Sequence, residues 1–294
     1  MLLDRSPDAW QHLLQLSRSF YEQGKFVTFP GYEWTNWQYG HKHVIFLRES
    51  EASVFSAFEE KSDHPDELWA ALGDRECITI NHHTGGGPIP TFWKYHHPHF
   101  EPVVEITSVH GVSEAMGHPK CIYQPVESGM VQSALARGYQ LGFIGSGDTH
   151  DGHPGLGGAG GGSMGLAGIY ASELTREAIL EALRARRVYA TTGCRAVLRF
   201  HMGKVTMGGI AKLETPRQER KLSISVLGDA PITHMTLVKN NEPVYDQRGV
   251  DLLESWEWTD PELAQQGDYY YARISQADGH WIYSSPIWIE LKKP

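Results

Sequence analysis

Residues 141–150 read LGFIGSGDTH. Leu141, Phe143 and Ile144 make an apolar run of the length of a buried strand, and Gly145, Ser146 and Gly147 then lead into Asp148-Thr149-His150. A strand ending in a carboxylate and an imidazole two residues apart can aim both into one site, and both groups are ligands for Zn, Mn or Fe. On its own, D-x-H reads equally well as a turn with a surface histidine. The pattern recurs upstream: FVTF (26–29) precedes Glu33, CITI (77–80) precedes Asn81, His82 and His83, and VVEI (103–106) precedes His110. Four strand ends thus deliver ligand-type side chains, which in open α/β sheets is where working residues gather.

Helical patterns lie between these strands. Trp10, Leu13, Leu14, Leu16 and Phe20 share a face, and residues 66–72, 131–137 and 174–186 are helix-like. HVIFL (43–47) is one more buried strand. Alternation of strand and helix predicts an α/β fold with a mainly parallel sheet. After residue 195 the pattern changes to short strands at 196–200, 222–227, 232–238, 269–274 and 282–289, parted by turns such as Ala277-Asp278-Gly279. These predict a small antiparallel sandwich, and so two domains, 1–195 and 196–294.

The histidines cluster. Twelve of 16 lie between His41 and His153, as expected if one region builds an imidazole-rich site. Alternation puts His41 and His43 on one face, where either could approach the site or serve as a buried structural histidine. His82 and His83 are neighbours and should point to opposite sides of a strand, which leaves open which of them is a ligand. Glu33 sits among Tyr32, Trp34 and Trp37; burying it unpaired would be costly and a metal would offset that cost, although an exposed loop carboxylate fits the same pattern. Glu105 would need a partner if its apolar strand is buried. His96, His97 and His99 read as loop residues. Trp34, Trp37, Trp93 and Tyr95 suit either an organic or sugar-like substrate or the core.

Bulk properties narrow the function. A net charge of −9 argues against a broad nucleic-acid surface but leaves room for a small phosphorylated substrate beside a cation. No apolar run reaches the roughly 18 residues of a spanning helix, and Met1 to Trp10 has no secretory pattern. Cys77, Cys121 and Cys194 are widely spaced, which mildly favours a reducing, cytoplasmic setting. Oligomeric state is unspecified. Residues 155–160 fit G-x-G-x-x-G and 161–165 fit G-x-S-x-G, but no strand leads directly into either. The glycine stretch 152–168 reads instead as a loop, and a lid, beside Asp148 and His150.

Taken together, FVTFPGYEW (26–34), GHKHVIFL (40–47), ITINHH (78–83), VVEITSVHG (103–111), GSGDTH (145–150) and LTREAILEALRARRVYATTG (174–193) resemble the C-terminal part of the polymerase-and-histidinol-phosphatase (PHP)-like family called DUF3604. The resemblance implies a PHP-type distorted (β/α) barrel, incomplete at its N-terminus. It implies two or three divalent metals (Zn, Mn or Fe) and a phosphoester hydrolysed by metal-activated water. It further implies that Glu33 bridges two metals, that His82 or His83 joins His110 at one of them, and that Asp148 and His150 each serve a different metal. His83 and His43 are the expected proton-transferring histidines. PHP domains carry an H-x-H and a D-H pair upstream of the bridging glutamate; only His12 precedes Glu33 here, so the resemblance implies a chain lacking its first third. The rivals are a catalytically incompetent metal-binding or interaction module and, less favoured, a serine hydrolase using Ser163.

Overall fold

The computed structural model of the chain describes residues 6–150 and 164–292. Ser163 and the two glycine motifs therefore lie wholly or partly outside the described residues. The first half contains helix α1 (Pro7–Phe20), strands β1 (Gly31–Asn36) and β2 (Gly40–Phe46), helix α2 (Pro65–Leu72), and strands β3 (Cys77–His82), β4 (Val103–Ser108) and β5 (Gly111–Val112). Helix α3 (Val131–Leu135) and strand β6 (Gly142–Gly145) follow. These strands form one six-stranded sheet in the order β1-β2-β3-β4-β5, with β6 on the other side of β4.

Beyond residue 164 come β7 (Leu166–Ile169), α4 (Arg176–Arg184), β8 (Val188–Thr191), β9 (Val197–Met202), β10 (Val205–Thr206), β11 (Ile210–Leu213), β12 (Lys221–Leu227) and β13 (Ile232–Lys239). The last strands are β14 (Glu242–Arg248), β15 (Leu253–Thr259), β16 (Tyr269–Gln276), β17 (Trp281–Ser284) and β18 (Ile287–Leu291). Strands β10-β9-β12-β15 make a four-stranded antiparallel sheet. The others make an eight-stranded sheet, β11-β18-β16-β17-β8-β7, with β13 and β14 attached through β16.

The α/β expectation, and with it the PHP-type distorted (β/α) barrel, is overturned. Among the described residues strand outweighs helix, 36% to 14%, and no sheet closes into a barrel. The reason is local. A (β/α) barrel needs a crossover helix behind each parallel strand. Here β1 and β2 form a hairpin and β3 runs antiparallel to β2. Only β3–β4 and β4–β6 pair in parallel within this sheet, and residues 83–102 between β3 and β4 hold no helix. The C-terminal strands also differ from an isolated antiparallel sandwich: β7 and β8 join their sheet from before residue 195, and β11 pairs in parallel with β18.

Alternation along β16 explains the layering. Tyr270, Ala272 and Ile274 point into a core shared with Leu198, Phe200, Leu222 and Ile224 of the four-stranded sheet. Tyr269 and Tyr271 point the other way, into a core shared with Val104, Ile106 and Phe143 of the six-stranded sheet. The central strands of the eight-stranded sheet thus form a middle layer, buried on both faces. On the far face of the six-stranded sheet, Ile78, Ile80, Val103 and Ile144 pack against Leu180 and Leu183 of α4. Thr175 caps that helix by accepting from the Ala178 amide. Buried Arg176 donates to Leu47 O, Ser17 O and Glu49, tying α4 to the end of β2 and to α1.

Behind β2 and β3 lies a fully buried polar knot. Lys42 Nζ is 2.6 Å from both Asn81 Oδ1 and Glu101 Oε1, and His96 Nδ1 is 3.0 Å from Glu101 Oε2. Burial would raise the Glu101 carboxyl, but Lys42 and His96 hold it below its ordinary value. Removing one partner strands the other charge in the interior. Lys42→Met should therefore lower unfolding free energy by about 3–5 kcal/mol in urea titration; a loss within about 0.5 kcal/mol, the range of ordinary surface changes, would show that the pair does not hold these strands.

Candidate metal site

The hairpin and the strand beside it assemble the site by register. Glu33 lies opposite His43 across β1–β2, and His41 lies opposite His82 across β2–β3. Side chains alternate with period two, so Glu33, His41, His43 and His82 share one face while Lys42 and Asn81 take the other. FVTF at 26–29 is not a strand, and Glu33 stands within β1 and not after it. Next to β3, Glu105 of β4 is buried on the same side. His82 Nδ1 is 2.9 Å from each of its oxygens, the His83 amide donates to it at 3.0 Å, and the Ser146 hydroxyl beyond β6 donates as well.

His82 and His83 do not point apart. His83 follows β3 with φ at 36°, and this left-handed turn breaks the extended alternation that opposite faces would require. The two rings sit 4.2 Å apart, and His83 Nε2 lies 3.0 Å from His41 Nδ1. His41 Nδ1 is in turn 2.7 Å from Glu33 Oε1. His110 follows β4 and reaches Asp148 Oδ2 at 2.8 Å, while His82 Nε2 lies 3.5 Å from the same oxygen. Asp148 has φ at 133°, a strained value for a non-glycine residue, and the site's imidazoles grip its carboxylate. His150 is exposed, with Nδ1 3.6 Å from Asp148 Oδ1. His43 is partly buried, its ring 4.5 Å from that of His82.

The electrostatics follow from crowding. Burial would raise the Glu33 carboxyl, yet the His41 hydrogen bond and the nearby His82 and His43 hold it at about 2. Burial would raise Asp148 too, and His110 and His82 pull it far below the carboxylate range. His82 shows the converse: burial disfavours its cation, but Glu105 and Asp148 outweigh burial and raise its pKa. Burial and the neighbouring His82, His41 and His110 push His83 down to about 3. Burial, then His82, also lowers His43.

Three sets of donor atoms lie within 4.8 Å of one another: Glu33, His41 and His83; His82, His110 and Asp148; and Glu33, Asp148 and His150. Ligands about 2.1 Å from a tetrahedral zinc stand roughly 3.4 Å apart. The 2.7 and 3.0 Å separations in the first set, and 2.8 and 3.5 Å in the second, suit a small divalent cation with slight expansion. Nitrogen and carboxylate donors fit Zn, Mn or Fe.

The sequence profile of the family described as "Protein of unknown function (DUF3604)" matches residues 3–122 and 157–214. This chain belongs to the DUF3604 family. The matched segments carry Glu33, His41, His43, His82, His83, Glu105 and His110, whereas Asp148 and His150 fall between them. An uncharacterized protein of Chlamydia pneumoniae is 30% identical over 97% of the chain and 50% of its own length. Another, from Chlamydia trachomatis serovar D, is 27% identical with the same coverage. The DUF3604 chain thus spans about half the length of the curated relatives it matches. A titin M10–obscurin-like 1 Ig complex covers 33% of it at 13% identity and a TM-score of 0.22, too low to bear on the fold.

Among the described residues of this DUF3604 chain, all five expected ligands meet at one place: Glu33, His82, His110, Asp148 and His150. His83 and His43 lie beside them. Sequence reasoning placed His41 near the site without assigning it a ligand role, and it gave Glu105 no part; the clue to Glu105 was a lone carboxylate in the apolar run VVEI. Glu105 holds His82 in the carboxylate–imidazole arrangement that orients metal ligands. Glu105→Gln should weaken zinc binding by about 10–100-fold in competition with a chromophoric chelator; unchanged affinity would remove Glu105 from the site.

Proposed function

We propose that this chain is a metal-dependent hydrolase with chemistry of the PHP type, acting on a phosphoester through metal-activated water. What supports the reading is the meeting of two imidazole–carboxylate sets, Glu33–His41–His83 and His82–His110–Asp148, with Glu33 and Asp148 facing each other between them. Divalent cations held by Glu33, His41 and His83 and by His82, His110 and Asp148 would supply the Lewis acidity to activate water and offset the charge of the ester oxygens.

The chain's own groups do the remaining work. Glu105 accepts from His82 Nδ1 and so orients Nε2 toward the Asp148 side of the cluster. Ser146 and the His83 amide anchor Glu105 in turn. His83, kept neutral by burial and by its imidazole neighbours, suits the role of ligand. His43, beside His82 and depressed by burial, is assigned to carry the proton between water and leaving group.

The reading is tested by loading the chain with zinc or manganese, measuring bound metal by mass spectrometry and following p-nitrophenyl phosphate. Expected are at least one metal per chain and turnover that EDTA abolishes and metal restores. Glu33→Ala and Asp148→Ala should each lower metal content and reduce turnover by at least about 100-fold, with circular dichroism unchanged. Turnover that survives chelation would refute the proposal. Metal uptake with no turnover would assign the chain to a metal-binding module instead.

A further inference from the structure

We infer that the substrate of this site carries a flat aromatic ring, held at the mouth of the cluster by Trp37 and Tyr123. The inference rests on the hydrolase reading and deepens it. Four aromatic residues near the site invite either a core or a substrate role in the sequence, and the structure separates them. Trp34 and Trp93 are each 1% exposed, and their indole N–H groups donate at 2.8 Å to Ser62 O and Gly129 O, so both are core residues. Tyr95 packs edge-on against Tyr39 and His64. Trp37 behaves differently. It stands on the turn between β1 and β2, 60% exposed, with its ring 6.3 Å from that of His41.

Tyr123 is the counterpart on the other side. It is 48% exposed, and its ring lies 5.7 Å from that of His110. The glycine loop after His83 holds it in place: a Cβ on Gly87 would fall 2.2 Å from the tyrosine ring, so only glycine lets the ring lie flat on that backbone. The line of ring contacts continues from His41 to His83 at 4.6 Å and from His83 to His110 at 5.1 Å. Trp37 and Tyr123 therefore abut ligands of the two different donor sets. Neither is a metal ligand and neither fills the core. An exposed aromatic face beside a reactive centre is a stacking surface, and its best partner is another flat ring, offset or edge-on. The reacting ester would sit over the histidines and the ring would extend to the aromatic rim.

Calorimetry on the zinc-loaded chain can read this without turnover, using phenylphosphonate, cyclohexylphosphonate and methylphosphonate as probes. Phenylphosphonate is expected to bind about tenfold more tightly than methylphosphonate, and more tightly than the bulkier but non-planar cyclohexyl probe. Trp37→Ala and Tyr123→Ala should each cut the phenyl advantage to about threefold or less, while Tyr123→Phe keeps it. Equal affinity for the phenyl and methyl probes, or for the phenyl and cyclohexyl probes, overturns the inference. So does an advantage that survives both alanine substitutions, or no binding of any probe. Ring preference without turnover would keep this inference and remove the hydrolase reading, whereas turnover without ring preference would do the reverse.

Discussion

A single buried carboxylate organises the face that carries the imidazole cluster. Glu105 lies at 2% exposure in the middle of a sheet and accepts from the side chain of His82, the backbone of His83 and the hydroxyl of Ser146. Two segments far apart in sequence, at residues 82–83 and at 146, are thereby fixed to the strand that carries it. An unpaired charge at that depth would cost several kcal/mol, so the three donors are a condition for folding as well as for the shape of the cluster. His82 is the donor that also faces outward, toward Asp148, which makes Glu105 the link between the sheet's interior and the cluster.

The sheet supports that link from behind. Lys42 and Asn81 leave the reverse face of the same two strands that carry His41, His43 and His82, and they close on Glu101 in the interior. One register therefore sets two polar arrangements, one on each side of β2 and β3. A slip of one residue would exchange them, placing Lys42 among the imidazoles and the histidines in the core. Such a slip is penalised on both faces at once.

The meeting of several candidate-site side chains was legible in the sequence because they follow or end apolar runs that are easy to find: CITI before His82, VVEI before His110, LGFI before Asp148. The arrangement of the strands was not legible. HVIFL does not say whether its neighbour runs parallel or antiparallel, and the β1–β2 hairpin turns on Trp37, Gln38 and Tyr39 without a strong Asn-Gly or Asp-Gly signal. Strand β1 was hidden because GYEWTN starts at Gly31, directly after Pro30, a pair that reads as a turn, while the more apolar FVTF beside it drew the assignment. β14 and β15, rich in Glu, Asp and Gln, lack the apolar density that marks a strand. His83 joined the cluster through a backbone angle that no side-chain pattern reports.

The middle sheet has a consequence for how the chain is made. Its β8 pairs on one side with β7, but its other neighbour, β17, comes more than 80 residues later, and Val104, Ile106 and Phe143 are covered by tyrosines from β16 and β17. During synthesis from the N-terminus, the histidine-bearing strands emerge long before the layer that backs them. Until β16 and β17 leave the ribosome, that sheet has a bare apolar side, the kind of surface on which chaperones act.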